Sequence, residues 1–191
     1  MEITIDMKEI TRFMRMGGRA PDTALAVRIE ALRDEALGMV RPARVWRRFP
    51  IENGAIATGE CRLDVVGELA RHLDGCREVY LVCGTIGALF DAFQRRVSVR
   101  SGADALIAQA IGAALIEKWM DMTGDAILAE MAPGESLRRR YSPGYGDFPL
   151  EAQRDLLAML DASRKVGVSL TDTLLMVPSK SVSAVLGIDR K

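Results

Sequence analysis

Residues 138–149, with the sequence RRRYSPGYGDFP, combine residue types that together could bind a charged and partly flat small molecule. Arg140 carries a planar guanidinium that can hold a carboxylate through two parallel hydrogen bonds. Gly144 allows close approach of the backbone to a ligand. The ring of Tyr145 could lie against a flat heterocycle or a sulfonium cation. The segment therefore predicts a pocket for a zwitterionic ligand, although its composition also fits a rigid surface loop with solvated arginines.

The motifs that mark several large enzyme classes do not occur in the sequence. It has no G-x-x-x-x-G-K-[ST] phosphate loop, no G-x-S-x-G nucleophile elbow and no H-E-x-x-H zinc motif. His72 is the only histidine and falls in a predicted helix without a motif around it, which favours a surface or capping role over catalysis. We therefore predict no catalytic residue in this chain.

Two other features that could carry chemistry have simpler structural explanations. The segment Val79–Gly87 resembles a strand that enters a dinucleotide-binding glycine turn, but it lacks the first glycine of G-x-G-x-x-G. Tight packing of a strand against a helix explains its glycines better. Cys61, Cys76 and Cys83 are odd in number and form no C-x-x-C pair, so we expect reduced thiols and no metal site.

Length indicates one domain that spans residues 1–191, and the character of the N-terminus indicates that the protein stays in the cytoplasm. A chain of 191 residues is long enough for one substantial core. Lys+Arg and Asp+Glu both number 26, so net charge gives no reason to expect nucleic-acid binding. The polar N-terminus differs from a secretory signal. The sequence contains no run of 18 apolar residues, so we do not expect a membrane as a partner.

The order of predicted elements favours an α+β fold, with a mostly antiparallel sheet packed against helices. Helices are predicted at residues 8–16, 22–39, 64–73, 86–99, 103–131 and 150–160, with Asp64 as a cap and 103–131 as the central helix. Strands are predicted at 3–5 and 79–83. Two hairpins are predicted, one joining 43–49 to 54–58 and one joining 173–177 to 181–188.

Two ordered motifs resemble a known family. Residues 140–145, RYSPGY, are similar to the R-x-[AS]-P-G-Y element of the activation domain of cobalamin-dependent methionine synthase, which binds S-adenosylmethionine. The following residues 146–153 resemble the form seen in small, stand-alone members of that family. Residues 171–183 resemble its closing M-x-P-x-x-S-V-S hairpin. Weaker similarity extends back to residues 79–91 and 47–50, so the resemblance covers nearly the whole chain.

The resemblance implies a role in cofactor rescue. In that family cobalamin cycles between methylated and cob(I)alamin forms and is occasionally lost to inactive cob(II)alamin. A flavodoxin-like or ferredoxin-like donor then supplies one electron, and S-adenosylmethionine methylates the reduced cobalt. Residues 72–75, HLDG, look like half of the cobalt-ligating D-x-H-x-x-G motif, but Ala70 stands in the Asp position. We therefore expect cobalamin to be carried by a partner methyltransferase.

The family's ligand contacts carry over position by position. Arg140 would hold the carboxylate of S-adenosylmethionine, Ser142 and Gly144 would contribute backbone, and Tyr145 would pack on the ligand or face the corrin. Leu186 and Gly187 fall where the family makes main-chain contacts. The family's N-terminal acidic contact to the ligand's amino group has no match here, so neither Asp6 nor Glu9 inherits that role.

Two alternatives to the methionine synthase role are compatible with the same residues. The chain could activate another corrinoid methyltransferase or demethylase. It could also be a non-catalytic module that caps a cobalamin domain and excludes water without a ligand of its own. The unmatched amino-group contact favours the capping module, whereas the joint presence of Arg140, Gly144 and Tyr145 favours a ligand-binding role.

Overall fold

The fold is built around a four-stranded antiparallel sheet in the order β1-β4-β8-β5, and the computed structural model describes residues 3–190. The strands are β1 (Ala43–Pro50), β2 (Ala55–Thr58), β3 (Cys61–Asp64), β4 (Glu78–Thr85), β5 (Glu135–Leu137), β6 (Ser169–Leu170), β7 (Met176–Val177) and β8 (Ser181–Arg190). The helices are α1 (Met7–Phe13), α2 (Thr23–Met39), α3 (Gly67–His72), α4 (Ala88–Arg100), α5 (Gly102–Glu130), α6 (Gln153–Leu160) and α7 (Ala162–Val166). A 3-10 turn, Leu150–Ala152, precedes α6.

Each face of the main sheet covers its own hydrophobic core. Side chains alternate along a strand, so Val82 and Ala184 face α5 while Leu81 and Val185 face the opposite layer. Helices α1, α2 and α4 pack around α5 on the first face. Helices α6 and α7 and the β2-β3 hairpin cover the second face. Because α5 is apolar around most of its circumference, it can be surrounded by the sheet and three helices.

Side-chain caps explain where three of the helices begin. Asp6 and Glu9 form a reciprocal capping box at the start of α1, with the Glu9 amide donating to Asp6 Oδ1 at 2.7 Å. Asp22 accepts from the Leu25 amide at the start of α2, at 2.8 Å. Ser101 accepts from the Asp104 amide at the start of α5. The carboxylates of Asp6 and Glu9 therefore bond to backbone amides at the start of α1.

The α+β architecture predicted from the sequence is confirmed, and so is the position of the long central helix. The terminal segment 3–5 was predicted as a strand but is irregular, although Ile3 and Ile5 are buried. Helix α3 starts after Val66 rather than at Asp64, which ends β3. The Glu68 amide is capped instead by Asp147 Oδ1 at 2.9 Å, a partner too distant in sequence for a local cap pattern to reveal.

Both predicted hairpins are wrong because tertiary pairing outcompetes the local turn. Strand β1 pairs along its whole length with β4, and β2 pairs with β3. Strand β8 pairs with β4 and β5, while the short β7 pairs with β6. Strand β4 is nearly all buried, so it gains most from a partner on each side, whereas the turn at Glu52 retains only an isolated bridge to Ala55.

Gly112 lets α5 approach a buried ring of α4, and its replacement by alanine tests that packing. An added Cβ would lie 2.5 Å from Phe90 Cε1 and 2.7 Å from Lys180 Cε. We expect Gly112→Ala to lower the free energy of unfolding by about 1–3 kcal/mol in urea titrations. The matched control Gly38→Ala, in α2 with no atom within 4 Å of its Cβ, should raise it by about 0.5 kcal/mol. Equal stability of the two variants would contradict this packing.

An ion network at the end of the sheet predicts acid sensitivity. Arg48 Nη2 lies 2.6 Å from Glu78 and 2.8 Å from Glu135, and hydrogen bonding by Arg48 is the main reason that the pKa of Glu135 falls from 4.5 to about 2. A lowered pKa in the folded state stabilises it above pH 4.5, and that stability is lost as pH falls toward 2. Chemical unfolding across this range should show a steeper loss for the native chain than for Glu135→Gln. Parallel curves would contradict the assignment.

Candidate functional site

A groove of about 1120 Å³ lies beside α5 and the free edge of β8. Its walls come from the second half of α5, the segment after β5, and the stretch that contains β6, β7 and the start of β8. Its lining is apolar along much of its length and charged where α5 meets the segment after β5. The lining residues include Glu117, Asp121, Asp125, Arg140, Ser142, Tyr145, Gln153, Leu174, Leu175, Ser183 and Leu186. A groove with such mixed chemistry suits a ligand with a charged end and a flat or apolar end.

Arg140 is the charged centre of the groove. Its Nη2 atom donates to Glu117 Oε2 at 2.7 Å and to Asp121 Oδ1 at 3.1 Å. Its Nη1 atom is shielded from solvent and has no hydrogen-bond partner within residues 3–190. A shielded guanidinium nitrogen without an acceptor is costly, so the site gains from any anion that can reach the guanidinium and bond to it. The arrangement can therefore hold a carboxylate.

Three carboxylates of α5 share this groove, and the sequence analysis did not single them out. Glu117, Asp121 and Asp125 follow one another at intervals of four residues, which places them on one face of a helix. Glu117 and Asp121 already bond to Arg140, whereas Asp125 forms no ion pair within the described part of the chain. The four-residue spacing of acids in an otherwise apolar helix was the signal that could have revealed them.

The backbone between Ser142 and Phe148 forms a compact double turn. The Tyr145 amide donates to the Ser142 carbonyl at 3.2 Å, and the Gly144 amide donates to the Phe148 carbonyl at 2.8 Å. Gly144 has a φ of +90°, a conformation that favours glycine. Gly144 does not line the groove, so in this structure its observed role is to shape the turn. The turn leaves Tyr145 65% exposed at the edge of the groove.

Tyr141 anchors this turn to the body of the protein. Its amide donates to the Val185 carbonyl at 2.9 Å and its carbonyl accepts from the Val185 amide at 2.8 Å. Its ring stacks on His72, with centroids 4.9 Å apart, and its hydroxyl donates to Glu68 at 3.1 Å. Burial and the bond to Glu68 raise the pKa of Tyr141, so the phenol stays protonated and can donate. Because Tyr141 is held by these contacts, the backbone of its chain neighbours Arg140 and Ser142 is held in place as well.

The edge of β8 supplies main-chain groups to the groove. Both main-chain groups of Val185 point toward Tyr141, away from β4. Hydrogen-bond direction alternates along an antiparallel strand, so the amide and carbonyl of Ser183 point the same way. Among residues 3–190 no strand pairs with β8 at Ser183 on that side, and Ser183 lines the groove. This edge can therefore bind a polar part of a ligand through the backbone.

Leu186 and Gly187 lie on this strand but in different surroundings. Leu186 lines the groove and is nearly buried. Gly187 does not line the groove: its carbonyl accepts from the Arg138 amide at 2.9 Å, and a Cβ there would lie 2.8 Å from Cys76 Sγ. The structure thus brings Arg140, Ser142, Tyr145 and Leu186 together at the groove and places Gly187 beside α3.

Two other residues with reactive side chains, His72 and Cys83, are engaged in hydrogen bonding or buried in the core. His72 Nε2 donates to the Arg139 carbonyl at 2.9 Å. Cys83 is buried, and burial raises the pKa of its thiol to about 12. Across residues 3–190 no group of three or more His, Cys, Asp or Glu side chains is arranged to hold a metal ion. The same described stretch contains no helix long and apolar enough to cross a membrane.

The fold places the chain in a known structural class. It superimposes on a crystal structure of the MetH reactivation domain bound to AdoHcy with a TM-score of 0.62 and 16% sequence identity, covering 96% of this chain and 73% of that one. At this identity the likeness establishes the α+β fold of that domain and nothing about its ligand. No curated protein matches the chain.

A family model matches the C-terminal part of the chain. Residues 117–190 match the family model described as vitamin B12 dependent methionine synthase, activation domain. Both motifs, at residues 140–145 and 171–183, lie in that stretch, so the resemblance predicted from them is confirmed there. The matched stretch contains Arg140, Ser142, Tyr145 and Leu186 as well as the carboxylates of α5.

Proposed function

We propose that this chain is a reactivation subunit of a cobalamin-dependent methionine synthase in the cytoplasm. It would bind S-adenosylmethionine and position it for reductive methylation of cob(II)alamin on a partner protein. The observation that carries the proposal is Arg140, whose guanidinium lies in the groove with one nitrogen bonded to α5 and the other without an acceptor. A ligand carboxylate complements that guanidinium in charge and in geometry.

The carboxylates of α5 supply a partner for the ligand's amino group. Glu117 and Asp121 lie within 3.1 Å of Arg140, so an amino acid whose carboxylate meets Arg140 brings its ammonium close to them. In S-adenosylmethionine these two groups are separated by one carbon atom, which matches adjacent opposite charges in the site. Asp6 and Glu9 do not line the groove, because they cap α1. We therefore assign the amino-group contact to Glu117 and Asp121.

The rest of the groove fits the nucleoside part of the ligand. The backbone of Ser183 can bond to polar atoms of the ligand, while Leu174 and Leu186 offer apolar contact to its flat base. The exposed ring of Tyr145 stands at the edge, where it can cover the sulfonium or meet the corrin of the partner. In this orientation the methyl group of the ligand would lie near the open side of the groove.

The chemistry itself belongs to the two cofactors. S-adenosylmethionine supplies the methyl group, and cobalamin on the partner receives it after one electron from a flavodoxin-like or ferredoxin-like donor. This chain orients the ligand and keeps water away from it. The residues at 70–75 do not form a cobalt-ligating motif, and His72 is bonded to Arg139, so the partner must hold the cobalamin.

Replacement of Arg140 tests the carboxylate contact. We expect Arg140→Ala to weaken binding of S-adenosylmethionine by about 2 kcal/mol, roughly thirtyfold in Kd, because a charge-assisted double hydrogen bond is lost. Arg140→Lys should recover only part of this, since an ammonium lacks the planar fork. The matched control Arg62→Ala, on the exposed β2-β3 hairpin, should bind as the native chain does. Calorimetric titration gives all four affinities, and native affinity in Arg140→Ala would refute the assignment.

Reconstituted methyl transfer tests the function. With a cobalamin-binding partner, a one-electron reductant and S-adenosylmethionine, the native chain should accelerate formation of methylcobalamin, followed by its absorption spectrum. Tyr145→Ala should slow this step more than it weakens ligand binding, because the ring helps to orient the methyl group. Equal losses in rate and affinity would indicate simple packing. Tight docking to cobalamin without ligand binding would favour the capping module instead.

A further inference from the structure

The wall of the groove formed by β6, β7 and their connection is a strained hairpin. Its tip, residues 171–175, is closed by bonds from the Leu174 amide to the Thr171 carbonyl at 3.0 Å and from the Leu175 amide to Thr171 Oγ1 at 3.1 Å. Leu174 has a φ of +65°, which is rare for a bulky residue and persists only when neighbouring groups enforce it. Leu174 and Leu175 both line the groove.

A buried amide side chain connects this tip to the body of the protein. Gln153, the first residue of α6, is 4% exposed, and its Nε2 atom donates to the Leu174 carbonyl at 3.2 Å. On its other side Ser183 Oγ lies 3.5 Å from Gln153 Oε1, at the long limit of a hydrogen bond. Gln153 thus lies between the strained tip and the edge of β8, and it lines the groove itself.

The base of the same hairpin is held separately. Asp91, near the start of α4, accepts from the Ser179 amide at 2.9 Å and from Ser179 Oγ at 2.6 Å. Leu175 and Val177 are largely exposed, so buried apolar surface contributes little to holding the tip. Leu170 and Met176, on either side of the tip, pack against the second core, and within the tip itself Gln153 donates a hydrogen bond from the body of the protein to the Leu174 carbonyl. A buried hydrogen bond of this kind is costly to break, because the carbonyl is left without a donor.

We propose that Gln153 is a positioning residue of the ligand site. It holds the Leu174 carbonyl, keeps Leu174 in its left-handed conformation and so sets the wall against which the apolar part of the ligand packs. The inference rests on the proposed binding of S-adenosylmethionine in this groove. It adds a residue that acts through the wall of the groove rather than through the charged end.

Gln153→Glu separates this role from general stability, because a carboxyl can donate to the Leu174 carbonyl only when protonated. Burial raises the pKa of a carboxyl, so acid restores the donor. At about pH 7.5 the variant should bind S-adenosylmethionine roughly tenfold more weakly than the native chain at the same pH, and at about pH 5.5 the ratio should fall to roughly threefold or less. The control Gln94→Glu, on the surface of α4, should follow the native chain at both pH values.

Two further measurements keep the proposal falsifiable if that variant folds poorly. Gln153→Met is apolar and of similar length, so it should bind more weakly at both pH values without recovery in acid. In either variant, hydrogen exchange at the amides of Leu174 and Leu175 should accelerate while exchange in β4 stays unchanged. Native affinity in a folded Gln153 variant, or an equal loss for Gln153→Glu at both pH values, would overturn the proposal. A native chain that does not bind S-adenosylmethionine at all would refute the proposed function itself.

Discussion

The charge pair between Arg140 and the carboxylates of α5 is the interaction on which the site depends. Burying a guanidinium is tolerable only beside acceptors, and Glu117 and Asp121 provide them on one side. The other nitrogen, Nη1, has no acceptor within residues 3–190. The groove therefore holds adjacent positive and negative charges, which the carboxylate and ammonium of an amino acid would complement. The proposed recognition of such a ligand depends on this one contact.

The rest of the fold holds Arg140 and the carboxylates of α5 in place relative to each other. Arg140 is fixed because the next residue, Tyr141, bonds through its backbone to β8 and stacks on His72. The α5 carboxylates are fixed because α5 is surrounded by the sheet and three helices. The α5 carboxylates are thus held by the core on one face of the sheet, whereas Tyr141, the neighbour of Arg140, packs against the core on the other face. The tip of the β6-β7 hairpin is less buried than the wall formed by α5, and Gln153 holds it through a hydrogen bond.

Local sequence patterns predicted the parts of the structure that local physics determines. The helices followed from apolar spacing, although the one cap named from the sequence, Asp64, was wrong. The turn after Arg140 followed from its residue types, among them Gly144. The hairpins were wrong because strand partners are chosen by burial of β4, which turn residues do not encode. The carboxylates of Glu117 and Asp121 were missed because their relation to Arg140 exists only after β5 and β8 are paired. Asp147 capping α3 is a long-range contact of the same kind.

Calorimetric titration of the purified chain with S-adenosylmethionine decides whether the groove around Arg140 binds this ligand. We expect saturable binding of one molecule of S-adenosylmethionine per chain. Decarboxylated S-adenosylmethionine, which lacks only the carboxylate, should bind roughly thirtyfold more weakly, because Arg140 then has no anion to hold. Failure of S-adenosylmethionine to bind, both alone and with a cobalamin-carrying partner present, would show that the groove is not a site for it.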